Sequence, residues 1–513
     1  MTTSTAMKNS PKADRARSKY SQWQMIIVSL IVIALLAIAI WTRLHDLGLP
    51  FDRDGYDEGV YWQSLRAMSA GHPLYQQIFD SQPPFFLLSI FPTYLLLGQT
   101  LWSARLGIVV ISSLGLLGAF LLGKTLGGRI GAIAALLLLV ADPLYLAQSQ
   151  TIEAEAPSIA LSLLGVGLAY LWWEHSEDLI GLCAIILSAV ALALGILCKL
   201  FGVSALVPVG LLMLAQLWRI SQQPSGTRLR RVSSLIAGCL AFVITGALVI
   251  LPFVGAYHNL IQEVITFHLS AGTTLTASQN NNGSMLIAFF TSITAAAALY
   301  GAIIALLRRD WRVLPLLAWL LASVYLLWKQ TPLFHRHLVI LVPPLIALII
   351  MGIGPVRWNK QLSMTFKTVT TLMTIGIVLL VAAVSFRQSY SYLSAEHVQS
   401  LADTTRSNLQ VAQDLQAVTQ PGQLVVTDAQ FLAALAHRDT PPSLVDTSMV
   451  RITAGYLTTQ QLMQESSRPQ VHAVLFYTGR LRTQSLAAFY TWVTQHFRLV
   501  RDYGSGRQLW VKI

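Results

Sequence analysis

Long apolar runs separated by short polar stretches fill the first three quarters of the chain. The run from Trp23 to Trp41 is long enough to cross a bilayer at about 1.5 Å per residue. Further runs centre on 105–123, 130–147, 156–173, 181–198, 201–218, 233–255, 285–307, 313–328, 337–353 and 368–386, and each predicts a spanning helix. One stretch interrupts the series. PPFFLLSIFPTYLLLG, at 83–98, is short and carries proline at its start and inside, which predicts a re-entrant or interfacial helix. From Arg387 onward the pattern changes to polar sequence with short strand-like runs, QLVVTDA, HAVLFYTG and FRLVRDYGSGRQLWVKI. The last predicts a hairpin turning at Gly504-Ser505-Gly506. Helical stretches are expected around 395–418, 428–437, 458–466 and 483–496.

The expected fold is therefore mainly α. A polytopic transmembrane bundle of about eleven spans carries a large first external loop and a small C-terminal α/β domain. The domain expectation is a basic cytoplasmic segment at 1–22, a transmembrane domain at 23–386 with its external loop at 42–103, and an external domain at 387–513. Charge orients it. Lys8, Lys12, Arg15, Arg17 and Lys19 precede the first run, and Trp41, Arg43 and His45 follow it where a cleavage site would need small residues. Lys124 with Arg129, Arg219 with Arg228, Arg230 and Arg231, Arg308 with Arg309 and Arg312, and Arg357 with Lys360 and Lys367 form basic loops. All fall on the cytoplasmic side if 83–98 does not cross, which puts the C-terminal domain outside.

Composition agrees. Of 513 residues, 54% are hydrophobic and 11% charged, too few charges to cover a soluble enzyme and the reverse of a disordered chain. Mean hydropathy is +0.58. The net charge of +12 lies in loops between apolar runs, not in a stripe with interleaved aromatics, so no nucleic-acid partner is expected. The lipid bilayer is the expected surrounding. Cys183, Cys198 and Cys239 all lie in apolar runs and suit small buried hydrophobes.

The informative charges gather at the external boundary. RDGYDEGVYWQSLRAM looks like a loop entering a helix, with Asp57 and Glu58 in its first turn. Such acids commonly cap a helix; the sharper reading is a general base beside a membrane-embedded cavity. Asp80, in FDSQPPFF, is a second candidate carboxylate or a turn former. Glu155 precedes the proline of a span, Lys199 interrupts LALGILCKLFGVSALVP, and Arg336 and His337 lie within KQTPLFHRHLVILVPP at an external helix entrance. Capping, snorkelling and ordinary boundary placement are the plain accounts of these residues. His335 and His337, two apart, would point to different sides of a helix, so no metal site is assigned. Whether a divalent metal takes part stays open. Carboxylates from one loop and cations from two others suit a lipid-linked phosphate beside a hydroxyl acceptor. They also suit an anion transporter, although the centres of the spans are nearly free of charge.

DEGVYWQSLRAMSAGHPLY, FDSQPPFFLL, SARLGIVVISSLGLLGAFLLGKTLGGR, the acidic segment before Pro157, Lys199 and RHLVILVPPLIAL follow one another across roughly 50–350. In this order they resemble the GT-C membrane glycosyltransferases, nearest the bacterial relatives of protein O-mannosyltransferases and aminoarabinose transferases. The resemblance implies transfer of a sugar from a polyprenyl-phosphate donor to an external hydroxyl on a protein, lipid or glycan, with inversion. It implies Asp57 as base with Glu58 in support, Asp80 as the acidic residue of the second motif, and Lys199 and Arg336 as cations facing the phosphate. Glu155, Gln82 and His337 complete the expected substrate-binding set. Relatives often carry lysine before the proline where this chain has Gln82, which removes one expected cation. A flippase of a lipid-linked intermediate and an inactive scaffold of the same fold remain the alternatives.

Overall fold

The computed structural model describes residues 11–221, 225–275, 281–354 and 364–513. Lys8, Arg357 and Lys360 of the basic segments lie outside the described residues. Among these residues seven helices are long and apolar enough to cross a membrane, or eight if a bent pair counts as one. The chain is a multi-pass membrane protein. The first helices are α1 (Pro11–Leu44), α2 (Asp57–Ser69), α3 (Phe85–Leu96), α4 (Leu101–Ala141), α5 (Pro143–Gln148), α6 (Glu155–Glu174), α7 (Leu179–Cys198) and α8 (Leu206–Ser221).

The expected span 105–123 and most of that at 130–147 fall in α4, which doubles back on itself. Gly128 sits at φ +66° and ψ −151°, outside helical geometry and open to glycine. A Cβ on Gly123 would stand 2.3 Å from the carbonyl oxygen of Gly131, a closeness that a straight helix forbids at eight residues' separation. The second arm stops at Ala141. Asp142 accepts from the Tyr145 N–H at 2.8 Å and Pro143 opens α5.

The expected span at 285–307 is broken instead of straight. Asn282–Phe290 and Ile293–Leu307 meet at 69°, and Ser292 caps the second piece through the Ala295 N–H. The span expected at 337–353 enters as a 3₁₀ turn, His335–Leu341, before Val342–Met351, because Pro343 and Pro344 suit only a helix's first turn. The stretch at 83–98 forms α3, a twelve-residue helix with Pro92 inside and Phe86, Leu87, Ile90 and Tyr94 buried. The last span runs on to Leu401 without a break at 387, so the C-terminal domain takes shape only from Asp403.

Inside the bundle, serine hydroxyls bind carbonyls of neighbouring helices: Ser188 to Gly165 at 2.7 Å and Ser158 to Gly195 at 2.8 Å. At one end, basic residues satisfy helix C-terminal carbonyls that have no partner in their own helix. Arg308 donates to the carbonyls of Gly352 and Gly354, each at 2.8 Å. Arg312 donates to the Thr125 carbonyl at 2.9 Å and pairs with Asp310 at 2.6 Å.

The C-terminal domain is a four-stranded sheet of order β1-β2-β4-β3, formed by β1 (Leu424–Thr427), β2 (Val471–Phe476), β3 (Phe497–Gly504) and β4 (Arg507–Lys512). β1 and β2 run parallel; β4 pairs antiparallel with β2 and β3. The β3–β4 turn needs positive φ at Gly504, Ser505 and Gly506, as the GSG sequence suggested. Alternate residues face two small cores. Val426, Val474 and Phe476 pack with Leu462, Phe489 and Val493 on one side; Val425, Ala473 and Leu475 pack with Leu415 and Leu432 on the other.

Candidate active site

Where α2, the 79–84 turn, the α7 end and the 330–337 entrance converge, they enclose a cavity of about 530 Å³. The C-terminal domain supplies a further wall through Asp446, Ser448–Val450 and Arg480. Glycine makes that closure possible. A Cβ on Gly59 of α2 would lie 2.4 Å from the Phe431 backbone nitrogen, so only glycine lets the helix and the domain approach this closely. Gln63 donates to the Arg438 carbonyl at 2.9 Å, and Arg66 pairs with Asp439 at 2.6 Å. The Tyr56 hydroxyl, one residue before α2, accepts from the Thr447 N–H at 2.8 Å.

The loop ahead of α2 is tightly turned. Asp52 Oδ1 accepts from the N–H groups of Asp54 at 3.0 Å and Gly55 at 2.9 Å, and Asp54 Oδ2 caps the Asp57 N–H at 3.2 Å. Asp57 thereby opens α2 at its positive end, facing the cavity. Its carboxylate and that of Asp54 both pair with the Arg336 guanidinium. Burial lifts Asp57 to about 6, against the pull of Arg336 and with the help of Asp54.

Beneath lies a second acidic layer. Glu155 Oε1 accepts from Lys199 Nζ, and it lies 3.5 Å from His337 Nε2 and 3.8 Å from Arg336 Nε. Lys199 reaches it because α7 ends at Cys198 and the lysine takes an extended conformation, φ −154°. Glu153 is fully buried, 3.7 Å from Arg336, and neither of its oxygens has a hydrogen-bond partner. Burial holds it well above the usual carboxylate range; Arg336 opposes this, and Asp54, Glu155 and Asp57 add to it.

Across the cavity, Asp80 Oδ1 accepts from the Gln82 N–H at 3.0 Å, and the buried Oδ2 has no partner. Burial pushes Asp80 up to about 7. Gln82 lines the same wall as a neutral amide, and its carbonyl accepts from the Tyr75 hydroxyl at 2.7 Å. His268 Nε2 lies 2.9 Å from the Ser81 carbonyl oxygen.

Of the residues singled out in the sequence, Asp57, Asp80, Gln82, Lys199, Arg336 and His337 line the cavity, and Glu155 lies under its cations. Glu58 requires a correction. It lies outside the cavity lining, and both its oxygens are taken by Arg105, at 2.8 and 2.7 Å. One residue along a helix turns a side chain by about 100°, so adjacent acids could not both face the same space. Asp54, Glu153, His268, Asp446 and Arg480 were not assigned to the site. The density of acids in 52–58 and 153–155 was a signal for the first two; the others join only through the tertiary fold.

Oxygens of Asp54, Asp57 and Glu153 lie within 4.8 Å of one another, close enough to hold a metal ion. The Arg336 guanidinium already stands between Asp54 and Asp57, so a divalent ion would have to displace it. The donor set as folded therefore suits the arginine better than a metal.

Residues 61–270 match the family described as dolichyl-phosphate-mannose-protein mannosyltransferase. The match takes in Asp80, Glu155 and Lys199, begins just after Asp57 and ends before Arg336. ArnT from Cupriavidus metallidurans in the apo state aligns with a TM-score of 0.63 at 13% identity, covering 96% of this chain and 98% of that one. Its undecaprenyl phosphate-bound form gives 0.63 at 14% identity, with 95% and 98% covered. The chain shares its fold with ArnT. The Archaeoglobus fulgidus oligosaccharyltransferase tethered to an acceptor peptide aligns with a TM-score of 0.48 at 13% identity, covering 96% and 75%. No curated protein matches this chain. The class inferred from the sequence, a mainly helical membrane glycosyltransferase with a small C-terminal sheet domain, agrees with the family match and the fold.

Proposed function

We propose that this protein transfers a sugar from a polyprenyl-phosphate carrier to a hydroxyl acceptor at the external membrane face, inverting the anomeric carbon. The meeting of Asp57, Asp80, Lys199 and Arg336 around one cavity at a bundle end carries this reading. The undecaprenyl phosphate bound by ArnT, which shares the fold, supports the donor class. The acceptor oxygen attacks the anomeric carbon and gives its proton to Asp57. The bond between that carbon and the phosphate oxygen breaks, and its electron pair stays on the phosphate. Lys199 and Arg336 stabilise the departing charge in a poorly solvated cleft, where such pairing is strongest. Asp80, with one oxygen free, orients the acceptor. Gln82 contributes a neutral amide where relatives often carry lysine, so the phosphate relies on the other two cations.

The test is transfer in reconstituted membranes supplied with radiolabelled polyprenyl-phosphate sugars, comparing the unaltered protein with Asp57→Asn. Label reaching an acceptor, or water by slow hydrolysis, only with the unaltered protein supports the reading. No release from any donor by a folded protein that still binds carrier overturns it in favour of transport or scaffolding.

A further inference from the structure

A second cavity, of about 940 Å³, lies far from the active site. Helix α6 gives the separation. It starts at Glu155 under the active site and ends at Glu174 in the wall of this second cavity, a helix of 20 residues. At 1.5 Å per residue that is about 30 Å, the thickness of a bilayer's hydrocarbon core. The two cavities therefore sit at opposite membrane boundaries.

The second wall has its own chemistry. Trp173, Trp218 and Trp311 contribute three indoles, the last two 68% and 60% exposed. Tryptophan concentrates at headgroup depth, where one edge is apolar and the other wet. The Arg219 guanidinium lies over the Trp173 ring, 3.7 Å from its centroid, and lines the cavity beside it. Charges around it are otherwise matched: Arg312 pairs with Asp310 at 2.6 Å and with Glu174 at 3.6 Å. Among the described residues no carboxylate lies within 4.0 Å of Arg219. Apolar leucines, an aromatic rim and one cation without a counter-ion complement a molecule with an acyl chain and a single anionic head.

We propose that this cavity binds the phosphodiester headgroup of an anionic phospholipid from the leaflet opposite the active site. Arg219 holds the phosphate as a flat, stacked donor, and the tryptophans line the glycerol and upper chains. The site differs from the donor site in its leaflet, its residues and its ligand.

Native mass spectrometry of the delipidated full chain, titrated with phosphatidylglycerol, phosphatidylcholine and a polyprenyl phosphate, tests this. Phosphatidylglycerol should add one saturable equivalent with at least about tenfold preference over phosphatidylcholine. Arg219→Ala should abolish the preference, Arg219→Lys should keep part of it, and Arg129→Ala, an exposed cation at the same boundary, should leave it unchanged. Equal retention of the two phospholipids by the unaltered protein overturns the proposal whether or not any variant folds. So does undiminished preference in a folded Arg219→Ala. Tighter, Arg219-dependent retention of the polyprenyl phosphate would reassign the cavity to the carrier and overturn it as well.

Discussion

Replacing Glu58 by alanine should cost stability, not chemistry. The carboxylate and the Arg105 guanidinium are both fully inaccessible to solvent. Besides its two bonds to Arg105, Glu58 accepts from the Arg53 N–H at 2.9 Å and the Ile152 N–H at 3.2 Å, tying the first loop to the segment before α6. Burial disfavours its charge, but Arg105 and Arg53 outweigh that and hold it below the usual range. Removing one partner of a buried pair costs about 3–5 kcal/mol, because the other charge is left without compensation. Here Arg105 keeps its bonds to the carbonyls of Leu47, Leu49 and Phe51, at 3.0, 2.8 and 2.7 Å. The lower end, about 3 kcal/mol, is therefore expected, on the order of a hundredfold in the unfolding equilibrium. Thermal and denaturant unfolding in lipid nanodiscs, alongside transfer per folded molecule, would measure both effects. An unchanged unfolding midpoint with abolished transfer would refute the assignment and return Glu58 to the chemistry.

Three further outcomes follow from the same geometry. As a base, Asp57 must be ionised, so kcat/KM should be full above about 6 and fall as pH drops through it; a flat profile across that value, with chemistry limiting, would count against Asp57. Lys199→Met should lower transfer on the order of 10²–10³-fold, with Lys199→Arg restoring part, and undiminished initial rates would remove the lysine from phosphate stabilisation. Gly59→Val should cost about 1–3 kcal/mol by forcing α2 away from Phe431, read as faster proteolysis near Leu401; unchanged cleavage would contradict the close contact.

Much of the architecture could be read from apolar run length, because a bilayer demands about 20 apolar residues per helical crossing. Where backbone geometry departs from a straight rod, run length is blind. The fold-back at Gly128, the 69° break before Ile293 and the 3₁₀ entrance at His335 each turn on one or two residues within an unchanged hydropathy profile. The tail's strands and hairpin were legible from short strand-like runs in polar sequence and from GSG. Its docking was not: Gly59 reads as an ordinary helical glycine until Phe431 is placed against it. The same holds for the site. Asp57, Asp80, Lys199 and Arg336 stood out as charges at membrane boundaries, whereas Asp446 and Arg480 look like ordinary residues of a polar domain and enter the cavity only once that domain is seated.

Helix α6 acts as a ruler with both ends clamped. Lys199 and His337 hold Glu155 at one face, and Arg312 holds Glu174 at the other. A rod of about 30 Å fixed this way cannot slide to suit a thinner or thicker membrane; it can only tilt, carrying its terminal carboxylate with it. The acyl-chain length of the surrounding lipid thereby becomes one of the dimensions of the cavity proposed as the catalytic cleft.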